Sequence, residues 1–439
     1  SMLPNSPLST QPEDGATVAI PTSALPRSAR KSWTLVGLLA FTALGSYLCR
    51  TNVSVAGALI MRDLGFSQID MGSVFSAFVV GYALFQIPAG SAADRWGSAR
   101  VLGVASLCWV VITLSIASLS TTSTSARTIS AFTLLLALRF ILGVAESPTF
   151  PAAARGVSQW IPAKYQGSAN GIVLGAVGVA SAVAPAVLSR AMIHWGWRYA
   201  LLISAIPALA TGFIWTALKA KHADNRPAQK LASTAARVRT LWSRNFVLLT
   251  LSYTIEGYVS YIFIFWFYLY LVEVRHFNLT DSGTFSSLPG IFSIVSIPLG
   301  GVISDRLSSG KMGLRWGRGL VAIIGLFFSG LFLMLGAGTD NPKAAVLYLA
   351  LATAFVLSVE GPAWASMIEI AGARSGMAGG VMNCGSNIGG AISPVLTPIL
   401  AARIGWKNAL YVAAVLSMVG AAMWLGIVPN SSAKNETAG

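Results

Sequence analysis

The ionisable residues that stand out are those a lipid environment should exclude. Arg50 lies in Tyr47-Leu-Cys-Arg50-Thr-Asn52, and Arg139 and Glu146 stand seven apart in Arg139-Phe-Ile-Leu-Gly143-Val-Ala-Glu146, each inside a long apolar run. A charge at such depth is costly, so it should face a water-filled cavity and a partner. A guanidinium meets a carboxylate through two parallel hydrogen bonds, so Arg50 and Arg139 suit a carboxylate or another oxyanion. For Arg139 a permanent ion pair with a neighbouring acid is the structural alternative. Seven residues are two helical turns, which puts Arg139 and Glu146 on one face about 10 Å apart. Burial and a nearby Arg act on a carboxyl in opposite senses, and that competition lets Glu146 exchange a proton as its surroundings change. The alternative for Glu146 is a latch in which it stays locked to a cytoplasmic Arg.

Weaker candidates surround these three. Tyr47 stands three before Arg50 on the same face and can donate its hydroxyl to an anion. Phe75, Phe78, Tyr82 and Gln86 form one helical stripe, which packing explains as readily as ligand contact. Asn383 and Asn387 are four apart among glycines that let helices approach closely, and suit either the hydroxyls of a sugar acid or helix–helix hydrogen bonding. Trp364 is a candidate lining residue. Glu256 sits among Tyr253, Tyr258, Tyr261 and Trp266 and has three open readings: a partner for a cationic group of a zwitterionic substrate, a second proton site, or a structural pair. Glu360 echoes Glu146 by position without inheriting its job. His194, His222 and His276 are expected in loops. Cys49, Cys108 and Cys384 lack ligand spacing, so no metal site is expected. The apolar runs hold no histidine–carboxylate or thiol–histidine constellation, and Gly-x-x-x-x-Gly-Lys-Ser/Thr is missing. An enzyme is therefore not expected, and neither is a cofactor. Energy should come from an ion gradient, with protons the first candidate and sodium open.

These residues need elements that hold them in a bilayer. The 439 residues are 54% hydrophobic and only 10% charged, with a mean hydropathy of +0.67. Soluble domains carry roughly 25% charged residues, which argues against a water-soluble protein. A membrane helix needs about 20 mostly apolar residues. Spans are expected near 33–60, 71–92, 101–120, 129–153, 167–189 and 198–218, and then near 245–272, 283–304, 319–338, 344–369, 376–402 and 407–428. The fold class is thus an all-α membrane protein of twelve transmembrane helices in two six-helix halves, residues 32–218 and 245–428. A basic cytoplasmic linker, 219–244, joins them. Residues 1–31 read as a disordered tail without the apolar core of a signal peptide, and 429–439 as a C-terminal tail.

The net charge of +15, with a pI near 10.1, is explained by topology. Twelve spans place 20 of the 30 basic residues on one side and 8 on the other, leaving Arg50 and Arg139 within spans. That bias matches the positive-inside rule with both termini cytoplasmic. No nucleic-acid partner is needed to account for it.

The halves repeat. Gly90-x-x-x-Asp94-Arg95 reappears as Gly301-x-x-x-Asp305-Arg306, Gly167, Gly171 and Pro185 as Gly376, Gly380 and Pro394, and Glu146-Ser-Pro148 as Glu360-Gly-Pro362. Parallel repeats of this kind support rocking around a midplane site. The loop Gly90-x-x-x-Asp94-Arg95-x-Gly97-x-x-Arg100 resembles the signature of the major facilitator superfamily. Asp94 there either serves a cytoplasmic gate, accepting hydrogen bonds from a helix N-terminus or pairing with Arg across it, or merely stabilises a turn. The segments around Arg50 and Glu146 resemble the anion:cation symporter family, which includes galactonate and hexuronate transporters, sialin and the vesicular glutamate transporters. That resemblance implies that Arg50 binds the organic anion, that Tyr82 faces substrate and that Glu146 couples protons. Cys49 stands where the bacterial sugar-acid members usually have an Asp before the Arg, so the pattern leans toward the sialin-like arrangement with a single carboxylate.

The expectation is proton-coupled symport of a small organic anion, a sugar acid or other carboxylate, by alternating access in a bacterial inner membrane. The partners would be that anion, a proton and membrane lipid, and the protein would be monomeric. The rival readings are a proton-coupled efflux antiporter for drugs or siderophores and a transporter-like ligand receptor.

Overall fold

The computed structural model describes residues 27–119, 125–161, 166–219, 243–371 and 375–429, and among these the ordered elements are all helical. The expected linker, most of the N-terminal tail and nearly all of the C-terminal tail lie outside the described residues. Helix α1 (Arg27–Val55) begins within the stretch expected as tail, a difference of about one turn at a helix end.

Several expected single spans are broken helices. The first divides into α1 and α2 (Gly57–Leu64), and α3 (Gln68–Trp96) and α4 (Ser98–Ala117) follow. The fourth divides at Ser147 and Pro148 into α5 (Ser125–Glu146) and α6 (Thr149–Trp160), because a proline supplies no N–H to continue the ladder. Then come α7 (Gln166–Lys219), α8 (Arg244–Phe265), α9 (Phe267–Glu273), α10 (Leu279–Ser286) and α11 (Leu288–Ser309). The chain closes with α12 (Gly313–Gly338), α13 (Pro342–Leu357), α14 (Glu360–Ala371) and α15 (Ser375–Met423).

Ten segments of the described chain are long and apolar enough to cross a membrane. Two of them, Ala169–Leu218 and Ala378–Gly426, run to 50 and 49 residues. A straight helix of that length would reach about 75 Å, far more than the roughly 30 Å of hydrocarbon. Each has a joint instead: Gly196 (φ 81°, ψ 167°) in α7 and Gly405 (φ 83°, ψ 154°) in α15. Only glycine adopts such dihedrals readily, and the two joints recur at the spacing of the sequence repeat.

Helices α1–α7 pack chiefly on one another, through α1 on α7, α3 on α5 and α4 on α7. Among α8–α15 the main pairs are α8 on α15 and α12 on α13 and α15. The two groups meet where α3 lies on α15 and where α7 lies on α10 and α11. Glycine permits these approaches: a Cβ on Gly72 would lie 2.1 Å from the Pro394 carbonyl oxygen, and one on Gly290 2.4 Å from the Ala182 nitrogen. The same end of the bundle is closed by Phe75 stacked on Phe265, 5.1 Å between centroids, and by an ion pair of Arg62 with Glu273 at 3.2 Å. The opposite end carries Arg95, Arg100 and Arg306, all exposed.

Candidate substrate and proton site

Helix α1 presents Ser46, Tyr47 and Arg50 on one face, as spacings of three and four require. Helix α5 brings Arg139 and Glu146 against that face, and α3 adds Phe78 and Tyr82. Glu146, wholly buried, accepts hydrogen bonds at Oε2 from Arg50 Nε (3.2 Å) and from Ser46 Oγ (3.1 Å). The guanidinium carbon of Arg50 lies 4.6 Å from the Tyr82 ring, 5.1 Å from Phe78 and 5.6 Å from Tyr47. Such a cation–π cage holds the charge in place without using its donors. Arg50 Nη2 and Glu146 Oε1 are buried and have no hydrogen-bond partner among the described residues.

Arg139, read from the sequence as an anion ligand or an ion-pair partner, lies against the α1 backbone at Arg50. It is fully buried, donates from Nη2 to the Arg50 carbonyl (3.0 Å) and from Nη1 to the Cys49 carbonyl (3.4 Å), and stacks on Phe78. Its donors brace the α1 backbone at the residue whose side chain pairs with Glu146.

Between the two helix groups lies a cavity of about 470 Å³, lined by Tyr47, Thr51 and Ser54 of α1, Ser181 of α7, Ser260 of α8 and Ser293 of α11 among others. The remaining candidates form two polar chains. Asn383 Nδ2 donates to Gln86 Oε1 (3.0 Å), joining α15 to α3, while Asn387 donates to the Asn383 carbonyl and accepts from Tyr261 OH (3.3 Å). Trp364 Nε1 donates to Tyr253 OH (3.0 Å), which donates to Glu360 Oε2 (2.6 Å). Glu256, buried, accepts from Ser260 Oγ at 2.6 Å.

At the arginine-bearing end, Gly90 and Gly97 lie in and just after α3, and Gly97 (φ 81°) makes the turn into α4. The side chain of Asp94 lies outside the described residues. Its counterpart Asp305 is bonded by Arg318, which also donates to Ser304 Oγ (3.1 Å) and to Glu369 Oε1 (3.0 Å). Ser46 and Arg318 were not anticipated. Ser46 had a signal in its position four before Arg50, and Arg318 in being a cation at the mouth of a span. His194 lies on α7 rather than in a loop and is exposed, and His222 lies outside the described residues. Among the described residues no group of three or more His, Cys, Asp or Glu is arranged to hold a metal.

Comparison with known proteins places this geometry. Residues 39–369 and 307–439 match the Major Facilitator Superfamily. The probable sulfoacetate transporter SauU of Cupriavidus necator is 32% identical over 395 residues, covering 84% of this chain and 87% of the relative. The probable galactarate/D-glucarate transporter GudP of Escherichia coli K12 is 28% identical over 433 residues, 92% of this chain and 94% of its own length. The inward-facing, unoccupied crystal structure of a bacterial homolog of the human lysosomal transporter Spinster superposes with a TM-score of 0.74 at 15% identity, covering 92% and 97% of the two chains. At that identity the likeness concerns the fold. The sequence relatives are transporters and not enzymes, and the apolar segments make this a multi-pass integral membrane protein. The chain belongs to the Major Facilitator Superfamily.

Proposed function

We propose that the protein is a secondary active transporter that carries a small organic anion together with a proton by alternating access. The observation that carries this is the Arg50–Glu146 pair, a guanidinium held at Nε by a titratable carboxylate, with Nη2 unpartnered among the described residues and with Tyr47 and Thr51 of the same helix lining the cavity. The sugar-acid and sulfoacetate transporters among its relatives support an anionic cargo. Each jointed segment counts as two crossings, so the ten apolar segments become twelve, in halves 32–218 and 245–428, with both termini cytoplasmic. The protein works as a monomer in the bacterial inner membrane.

The cycle follows from competition for one cation. When the site faces outward, a proton on Glu146 releases Arg50, and the substrate carboxylate takes the guanidinium edge through two parallel hydrogen bonds. The halves then rock, the proton leaves on the inner side, and Glu146 reclaims Arg50 and displaces the anion. Arg139 is a positioning residue: by holding the carbonyls of residues 49 and 50 it fixes where the Arg50 side chain leaves the helix. Uptake of radiolabelled acids into proteoliposomes tests the scheme. An inward proton gradient should drive accumulation above equilibrium, and Glu146→Gln should retain exchange but lose that accumulation. Uptake indifferent to the pH gradient, or driven by sodium instead, would reject proton coupling.

A further inference from the structure

With the carboxylate end of the cargo on Arg50, the hydroxyl-bearing residues that line the neighbouring cavity bear on the other end. Tyr47 lines the cavity from α1 and backs onto the Arg50 guanidinium, 5.6 Å away. Ser260 lines it from α8, and its hydroxyl donates to Glu256 at 2.6 Å. One hydroxyl of the lining therefore rests on a cation and another on an acid. Tyr261, next to Ser260 on α8, donates its hydroxyl to Asn387 Oδ1 (3.3 Å). Glu360, a second acid of the same helix group, accepts a hydrogen bond from Tyr253 OH at 2.6 Å.

Among the described residues no cation of the C-terminal helices is seen to pair with these acids. Arg306, Arg315, Arg403 and Lys407 are exposed, and Arg318 is bonded to Asp305 and Glu369. In the N-terminal spans, apart from Arg50 and from Arg198 at a span's first residue, the cation is Arg139. It is fully buried with both terminal nitrogens on backbone carbonyls. A second anionic group on the cargo would thus be desolvated beside carboxyl groups with no cation to receive it, which is costly for any buried charge left unpaired. A hydrogen-bond donor would meet acceptors there. An ammonium is the strongest such donor, since charge-assisted hydrogen bonds are about twice as strong as neutral ones.

We propose that the site takes an amino-substituted monocarboxylate, its carboxylate on Arg50 and its ammonium toward the Ser260–Glu256 wall, and that it rejects acids carrying two anionic groups. The inference rests on the carboxylate-binding role of Arg50 and separates this chain from relatives named for sulfoacetate, galactarate and D-glucarate, each a doubly acidic compound.

Two matched series test it on the full-length purified protein, by isothermal calorimetry with thermal shift as a second reading. D-gluconate, D-glucarate and 6-amino-6-deoxy-D-gluconate differ only at the sixth carbon. On a shorter frame, 4-hydroxybutanoate, succinate and 4-aminobutanoate differ in the same way. In at least one series the amino member should bind tightest and the diacid at least about tenfold more weakly, the discrimination expected when a buried charge is left without a partner. Glu256→Gln should close most of that gap. A diacid binding as tightly as the amino member, or a gap that survives Glu256→Gln, overturns the inference. The ranking on the unmodified protein decides the matter even if the variant does not fold. Failure of every probe, or binding indifferent to Arg50→Ala, would instead bring down the carboxylate reading beneath it. Binding that needs Arg50 but favours the diacid would remove only the present inference.

Discussion

Arg50 is held by Glu146 at Nε while Nη2 has no partner among the described residues, so the side chain's geometry matters as much as its charge. Arg50→Lys keeps the charge and loses the fork; affinity for a carboxylate should fall by about tenfold or more in calorimetry, because an ammonium cannot present two parallel N–H donors to both carboxylate oxygens. Retained affinity in the Lys variant would mean that charge alone binds the anion. Arg139→Gln should act differently. It removes two donors to the α1 backbone and should raise KM more than it lowers maximal uptake, since its target is the placement of Arg50. The sequence made Arg50 and Glu146 legible because their types are costly in lipid, whatever their neighbours. It left Arg139 ambiguous for a physical reason: its partners are backbone carbonyls, which every residue carries and no residue type announces. The Ser46 contact was equally hidden, since a serine on an apolar helix usually bonds to its own preceding turn.

Helices α3 and α5 can bring Tyr82 and Glu146 to the same arginine only because they touch at glycine. A Cβ on Gly143 would lie 2.0 Å from the Phe78 carbonyl oxygen and 2.8 Å from the Tyr82 nitrogen, backbone atoms that cannot swing aside. Gly143→Val should therefore cost about 1–3 kcal/mol, the usual range for overpacking, and lower the melting temperature in detergent. It should also weaken anion binding, because Phe78 and Tyr82 carry two walls of the cage around Arg50. An unchanged melting point would show that the two helices are freer to part than the structure implies. Hydropathy located the spans because a run of about 20 apolar residues is what a bilayer demands and a soluble core does not. The breaks within them, at Trp266 between α8 and α9 and at Ser147 between α5 and α6, leave that pattern unaltered and were not foreseen. The joints at Gly196 and Gly405 were hidden by abundance: among 43 glycines, nothing in the sequence marks the two with positive φ inside a helix run.

At the scale of the molecule, the two helix groups are shut at the end where α2 meets α9, and the closure is steric more than ionic. The Arg62–Glu273 pair has a mostly exposed arginine, and exposed pairs contribute about 0–1 kcal/mol. The backbone approaches at Gly72 and Gly290 are not adjustable in that way. Gly290→Val should hold the end open and shift the population toward the opposite conformer, whereas Arg62→Ala should leave it nearly unmoved. Cysteines at positions 62 and 273, cross-linked by a short bifunctional reagent with and without Gly290→Val, measure the difference. Equal cross-linking in both backgrounds would contradict the steric account. The Arg50–Glu146 pair also decides how the carrier responds to membrane voltage. In the proposed cycle the empty pair is one positive and one negative charge, and on loading the substrate carboxylate would replace the glutamate charge as the proton neutralises it. The centre thus crosses the bilayer with no net charge in either direction, and only the far end of the cargo feels the field, at about 2.3 kcal/mol per charge per 100 mV. With one proton, an amino-carboxylate moves a positive charge inward and a dicarboxylate a negative one. The sign of the transport current on a supported membrane therefore reports which class of acid is being carried.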